Sequence, residues 1–431
     1  MTIENLYNIY LQHSVVCTDT RKISAGCIFF ALKGDNFNGN TFARKALEAG
    51  ASYAVIDEPA YKEDGRYILV DDVLLTLQQL ASYHRKQLSI PVIGITGTNG
   101  KTTSKELFNA VLSQKYKVYA TQGNLNNHIG VPLTILSVGN DIELAIVEMG
   151  ANHQREIAFL CEIARPNYGL ITNVGKAHLE GFGGFEGVKK AKGELYDFLK
   201  ANGGTVFLNA DNPNLREMYG PLSSGKLIAY GASADSLVEG RIVENDPFLT
   251  IDWISGDGTH RVRTNLTGSY NLENVVAAVT AGVQFGLTAE EINRGISTYT
   301  PGNNRSQIIK TGSNTIIGDY YNANPSSMVV ALDNLAAISA PKKALILGDM
   351  FELGAEASAE HQNIVKKALA VPAEERIFIG NEFYRMKDDT ARFYRTTAEA
   401  CQGLKEQPLK DAVILVKGSR SMKLETLIDL L

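Results

Sequence analysis

The segment VIGITGTNGKTTSKELFNAVL, residues 92–112, constrains the fold more than any other stretch of the chain. Val92–Thr96 reads as a buried strand, a loop of small residues follows, and Leu107, Phe108, Val111 and Leu112 then recur at helical spacing. Strand, tight loop and amphipathic helix in that order are what a phosphate-binding loop requires. Gly97 and Gly100 let backbone N–H groups approach phosphate oxygens closely. The helix start adds a partial positive charge and Lys101 a full one. Thr98, Asn99 and Thr103 complete the loop, and Thr102 offers its hydroxyl to Mg²⁺. The strict G-x-x-x-x-G-K-[ST] pattern wants glycine where this chain has Ile95. An ordinary strand-to-helix turn is the competing account, but such a turn has no need for Gly-Lys-Thr-Thr. No N-K-x-D stretch that would read guanine is present, which disfavours a GTPase and leaves ATP as the expected nucleotide.

Around this segment short β-rich runs alternate with helical stretches, as at Val118–Thr121, Leu144–Glu148, Leu170–Val174 and Val206–Asn209. The alternation predicts an α/β fold with a doubly wound central sheet. Two breaks divide the chain, one near Gln87–Pro91 and one at TPGNN, Thr300–Asn304. The expected domains are therefore residues 1–88, 89–300 and 301–431. The first is an α/β unit with an apparent strand at Cys27–Leu32 and a helix around Phe42–Ala49. The third is smaller and Rossmann-like, with strands at Ile316–Asp319, Ala344–Leu347, Ile377–Ile379 and Val413–Val416 and a helix at Met328–Leu335.

A formal charge of −5 and a pI near 5.9 do not supply the basic surface that binding to nucleic acid needs. The amino-terminal stretch lacks a basic, apolar signal, and no run approaches the length that spans a bilayer. Cys17, Cys27, Cys161 and Cys401 are scattered without C-x-x-C spacing, which suits a reducing cytoplasm and suggests neither zinc nor disulfides. A monomer is expected.

The run TGTNGKTT resembles the loop of the Mur ligase superfamily, which adds amino acids to the peptidoglycan precursor and includes folylpolyglutamate synthase. GNLNNHIGVPLT, EMGANHQREIAFL, ITNVGKAHLEGFGGFEGVKKAKGELY, DYYNANPSSM and LGDMFELG each resemble the branch that adds D-alanyl-D-alanine, and they follow its order. The resemblance implies an ATP-dependent amide ligase that joins D-alanyl-D-alanine to UDP-N-acetylmuramoyl-tripeptide through an acyl phosphate. It assigns the UDP-muropeptide to residues 1–88, ATP to 89–300, and the incoming D-Ala-D-Ala, with closure on ATP, to 301–431. Asn126 and Asn127 belong to its substrate segment.

Further roles come from the same resemblance. Thr102 and Glu148 match ligands of a first Mg²⁺, and His178 a ligand of a second. Lys192 matches a lysine often carried as a carbamate, an oxygen ligand where an ammonium would repel the metal. Asn271 and Asn274 match the segment that reads adenine, while Arg305 and Asp319 match residues that reach the ATP phosphate and the incoming amine. Asn322 and Asn324 are candidates for holding the dipeptide. Thr18, Asp19, Thr20 and Arg21 match the uridine-nucleotide segment, with Asn38 and Asn40 replacing the aspartate and histidine of the more usual D-G-H.

Most of these positions have plainer readings. Glu148 can be an exposed strand end, His178 a surface or satisfied core histidine, and Lys192 one of a solvated basic face with Lys189 and Lys190. Asn271 can start a helix, Asn324 before Pro325 can cap one, and Thr18–Thr20 can be a turn or cap. Two functional alternatives stand beside the first: another ligase of the superfamily, adding diaminopimelate, lysine or glutamate, and a nucleotide-binding regulator without turnover. DYYNANP argues against the former, where the diaminopimelate- or lysine-adding branch resembles D-Y-A-H-T-P. The joint presence of Lys101, Glu148, His178 and Lys192 argues against the latter.

Overall fold

A computed structural model describes all of the chain except residues 222–224, 233–235 and 303, so Asn303 of the TPGNN break lies outside the described residues. Three parallel or mostly parallel sheets organise it. The first has four parallel strands in the order Val16–Cys17, Ile28–Phe30, Tyr53–Ile56 and Tyr67–Leu69. The central sheet has six parallel strands: Lys226–Tyr230, Thr205–Asn209, Tyr168–Ile171, Val92–Thr96, Leu144–Glu148 and Val118–Ala120. The third also has six: Gln307–Lys310, Thr315–Asp319, Val413–Lys417, Lys343–Gly348, Glu375–Ile379 and Arg392–Tyr394, with only the first pair antiparallel.

Strand order in the central sheet decides where a ligand can sit. Val92–Thr96, the first of its strands in sequence, lies between Leu144–Glu148 and Tyr168–Ile171. The winding therefore reverses beside it, and open α/β sheets bind ligands in the crevice that such a reversal leaves at the carboxyl ends. The phosphate loop and Glu148 both emerge there. Ile95 is fully buried in mid-strand, so the strand is still running where the longer loop pattern would place glycine.

Two features lie outside what alternation alone predicts. Glu239–Asn245, Leu249–Ser255 and Gly258–Arg263 form a separate antiparallel sheet that falls, in chain order, between the two larger ones. It packs on the helices Asn271–Gln284 and Ala289–Thr298, which pack in turn on the loop helix Lys101–Leu112, so that Leu249, Ile251 and Trp253 share one core with Phe108, Val111 and Ile292. Its strand Glu239–Asn245 is largely exposed and reads polar, which hides it from a search for buried strands. The second feature is a core that does not stop at residue 88. Leu6, Tyr10, Leu77 and Leu80 pack in one cluster with Val131, Ile135 and Leu160. Buried Arg85 ties the helix Val73–Gln87 to the central unit through bonds to Ala164 O, Arg165 O and Asn167 Oδ1.

Candidate active site

The phosphate loop is short, and packing against neighbouring side chains requires its two glycines. Gly97 has φ +142°, and a Cβ there would lie 2.0 Å from Thr172 Oγ1. Gly100 has φ +79°, and a Cβ would lie 2.7 Å from Asn274 Oδ1. The neighbouring strand end pins the loop from the other side: Asn173 Oδ1 accepts from Asn99 N at 3.0 Å, and Thr172 Oγ1 donates to Asn99 O at 2.6 Å. Lys101 Nζ donates to Gly97 O at 2.8 Å and Thr98 O at 3.0 Å. Desolvation, with Arg305 also nearby and Glu148 opposing, holds its pKa down to about 8.

Beside the loop opens a cavity of about 890 Å³. Of the residues singled out in the sequence, Thr98, Asn99, Gly100, Lys101, Thr103, Asn126, Asn127, Glu148, His178, Asn271, Asn274, Arg305, Asp319, Asn322 and Asn324 line it. Glu148 is not an exposed strand end: it is 1% exposed. Asn126 Nδ2 donates to its Oε1 at 2.8 Å, while its buried Oε2 has no hydrogen-bond partner among the described residues. Such an orphaned oxygen suits a cation. Among the described residues no three His, Cys, Asp or Glu side chains are placed to hold a metal ion together, and Mg²⁺ needs no such group, since it takes one or two carboxylates and completes its shell with phosphates and water.

Lys192 lies in the helix Phe185–Ala201 behind the wall, donating to Ala151 O at 3.3 Å with its ammonium 5.2 Å over the Phe182 ring. It is buried, as is Lys189, which pairs with Glu217, whereas Lys190 faces out. Helical spacing puts Lys189 and Lys192, three apart, on one buried face and turns Lys190 away from it, and the reading of one solvated basic face is corrected accordingly. Desolvation, with Lys101 adding to it, pulls the Lys192 pKa down to about 7. His178 takes a left-handed backbone, φ +50°, and its Nδ1 meets Glu352 of the third sheet unit. Desolvation lowers its pKa against the opposing pull of Glu352.

The third sheet contributes one wall. Asn324 caps the helix Pro325–Ala337 in a reciprocal box with Ser327, as the Asn-Pro pair suggests, and also donates through Nδ2 to Asn99 Oδ1 at 2.9 Å. Asn99 Nδ2 donates to Ser326 Oγ at 3.2 Å. Lys176 pairs with buried Glu360 at 2.7 Å across the same junction. Arg305 stacks 3.9 Å over the Tyr321 ring, and its buried Nε has no partner among the described residues. Asp319 receives Lys417 Nζ at 2.6 Å, and that lysine also donates to Asn322 O.

Several residues are placed elsewhere or were missed. Gly97, Thr102 and Lys192 stand behind the cavity surface rather than on it. Thr18, Asp19, Thr20 and Arg21 do not line it either: Asp19 caps the turn Thr20–Lys22, and hydrogen bonds from Arg21 hold its carboxyl at about 2. Buried Asn40 bridges Asn38 Oδ1 and Asp57 Oδ1, so these asparagines knit the first unit internally. Asn271 is the first residue of the helix Asn271–Gln284, as its plainer reading has it; Tyr270 holds the cap position, and the Asn271 amide donates to Thr267 O. Asn173 and Lys417 were missed. Lys417 ends the apolar strand VILVK just as Glu148 ends LAIVE, and that shared pattern could have found it.

Three family models match the chain. Mur ligase family, catalytic domain, matches residues 13–85, Mur ligase middle domain 95–282, and Mur ligase, glutamate ligase domain, 304–420. The UDP-N-acetylmuramoyl-tripeptide–D-alanyl-D-alanine ligase of Bacillus subtilis is 36% identical, over 96% of this chain and 92% of its own. The enzyme of that name from Escherichia coli is 34% identical with the same coverage. Among solved structures, MurF from Acinetobacter baumannii superposes with a TM-score of 0.86 at 31% identity, over 96% of this chain and 92% of its own. MurF from Thermotoga maritima in complex with ADP gives 0.85 at 25%, covering 97% of each. Folylpolyglutamate synthase from Mycobacterium tuberculosis shares the fold, with a TM-score of 0.63 at 13% identity, over 83% of this chain and 94% of its own.

Proposed function

The chain belongs to the Mur ligase family, and from that premise we propose how it works as an ATP-dependent ligase joining D-alanyl-D-alanine to UDP-N-acetylmuramoyl-tripeptide. The observation that carries the mechanism is one cavity shared by Lys101, the orphaned Glu148 oxygen and the capped start of the Pro325–Ala337 helix. Residues 1–88 hold the UDP-muropeptide, 89–300 hold ATP, and 301–431 bring the dipeptide. The diaminopimelate-adding and folate-directed readings have weaker support, since relatives of those kinds share 17% and 13% identity.

A carboxylate is a poor electrophile, and its phosphorylation makes an acyl phosphate that the dipeptide amine can attack. Lys101 neutralises the ATP phosphates, Arg305 the phosphoryl group in transfer, and Asn271 and Asn274 flank the base. Asp319, held by Lys417, orients the incoming amine, and Asn322 and Asn324 hold the dipeptide. Mg²⁺, when bound, supplies charge neutralisation across the phosphates. Thr102 and Glu148 would hold one ion, and His178 with a carbamoylated Lys192 a second. A lysine with a pKa near 7 is half neutral at neutral pH and can add CO₂, which turns a buried cation into an anionic oxygen ligand. The four cysteines are free, and no helix among the described residues is long and apolar enough to cross a membrane. We place the reaction in the cytoplasm, on a monomer.

The test is ADP release by the purified protein. Release should require UDP-MurNAc-tripeptide and rise sharply when D-Ala-D-Ala is added. Release that is indifferent to the dipeptide would overturn the reading.

A further inference from the structure

A buried polar chain leaves the phosphate-loop helix and ends in the third sheet unit. Ser104 Oγ donates to Asn274 Oδ1 at 3.0 Å, Asn274 Nδ2 to Asn271 Oδ1 at 2.9 Å, and Asn271 Nδ2 to Thr267 O at 2.8 Å. The Thr267 hydroxyl in turn accepts from Asn334 Nδ2 at 2.9 Å. All five residues are buried. Asn334 belongs to the Pro325–Ala337 helix, whose cap Asn324 bonds directly to Asn99 of the loop. One helix is thus tied to the nucleotide loop twice, at its start and again along its length.

Asn334 is a poor source of stability. Its Oδ1 is buried with no donor among the described residues, so the amide carries a desolvation cost that a leucine of similar volume would avoid. What the amide supplies is direction, because an N–H must meet the Thr267 hydroxyl for the helix to seat. At the other end, Asn274 packs against Gly100, so a loop out of position would displace the chain that Thr267 belongs to.

We propose that Asn334 is a positioning residue for the ligase reaction. With Thr267 it seats the Pro325–Ala337 helix so that Asn324, Asn322 and Asp319 arrive over the phosphate loop in register with it. The proposal rests on the ligase reading above and adds a residue that touches no reactant.

The experiment uses the full chain and compares Thr267→Val, Thr267→Ser, Asn334→Leu and the Thr267→Val/Asn334→Leu double variant, reading ADP release and thermal unfolding. Losing one buried hydrogen bond should lower kcat about five- to tenfold in the valine and leucine variants, with KM for ATP changed less than about twofold. Thr267→Ser should restore kcat, and the double variant should lose no more than either single one. Asn334→Leu should melt no lower than the parent. A merely structural role predicts the opposite, a loss of activity that follows melting temperature. If Thr267→Val does not fold, Asn334→Leu decides alone. Unchanged kcat in Asn334→Leu, or a raised KM for ATP at full kcat, overturns the proposal. Parent protein that shows no dipeptide-dependent turnover overturns the ligase reading instead, so the two failures are distinguishable.

Discussion

Charged side chains gather at the carboxyl edges of both six-stranded sheets, but the two edges treat them differently. In the third sheet, Asp319 and Lys417 end adjacent strands and meet each other at 2.6 Å. In the central sheet, Glu148 keeps one oxygen without a partner among the described residues, and Lys101 and Lys192 are buried enough that desolvation lowers the pKa of each. A charge that the fold pairs is already satisfied and can serve as a fixed post. A charge that the fold leaves unpaired in a dry site costs free energy until a ligand of opposite sign arrives. On the proposed function, the central edge binds anions and cations together, and the third-sheet edge presents a preassembled group to them.

The contrast predicts a graded series of effects. Lys101→Ala should lower turnover on the order of a thousandfold, because the ATP phosphates lose their only loop cation, while circular dichroism should show an intact fold. Near-normal ADP release would mean that the central edge is not a phosphate site.

Lys192→Ala should fall about a hundredfold and recover in part with added short-chain carboxylic acids, which can supply the missing anion. The sign of its pH dependence follows from the depressed pKa of about 7. The neutral amine needed for carbamoylation disappears as pH falls below that value, so activity should drop toward pH 6 and gain from bicarbonate above it. In the unmodified protein the unfolded chain keeps this proton up to its ordinary pKa of about 10, so it binds more protons between the two values, and stability should rise with pH across that window. A Lys192→Ala variant with the parent's rate would make this lysine structural.

Arg305→Ala should lower kcat about thirtyfold and raise KM for ATP much less, since its contact forms chiefly in the closed, reacting state. A pure loss of ATP affinity would reassign it to ground-state binding. Solution scattering with and without an ATP analogue and UDP-MurNAc-tripeptide tests the closure itself, with a smaller radius expected when both are bound.

Lys417→Met is expected to act on the fold first. It leaves Asp319 beside a buried apolar chain, and the third unit should lose about 3 kcal/mol of stability, readable as a lowered melting transition. A melting temperature equal to the parent's would show that the pair is not a fixed post.

How much of this was legible before the structure depended on how local each cause is. The strand, loop and helix at residues 92–112 are written in neighbours: apolar run, small residues, apolar residues at helical spacing. The Asn324-Pro325 cap is likewise a four-residue signal, and both have the form expected. Strand ends such as Glu148 could be located, but not their burial, because whether a terminal carboxylate meets water depends on what other segments pack over it.

Local order in the sequence determined the type of each long periodic element and the chemistry available at the loop. Tertiary structure alone decided which charges are mated. Lys192 and Lys190 are two residues apart with the same side chain, yet one is buried behind the active-site wall and the other is in solvent. Asn40, read as a departure in a substrate segment, is the centre of a buried hydrogen-bond network reaching Asp57. Thr267 and Asn334 carry no motif, and only the packing of two units makes them partners. The physical reason is common to all three: desolvation and hydrogen-bond pairing are set by atoms that are close in space, and the chain brings those atoms from segments whose separation no short pattern records.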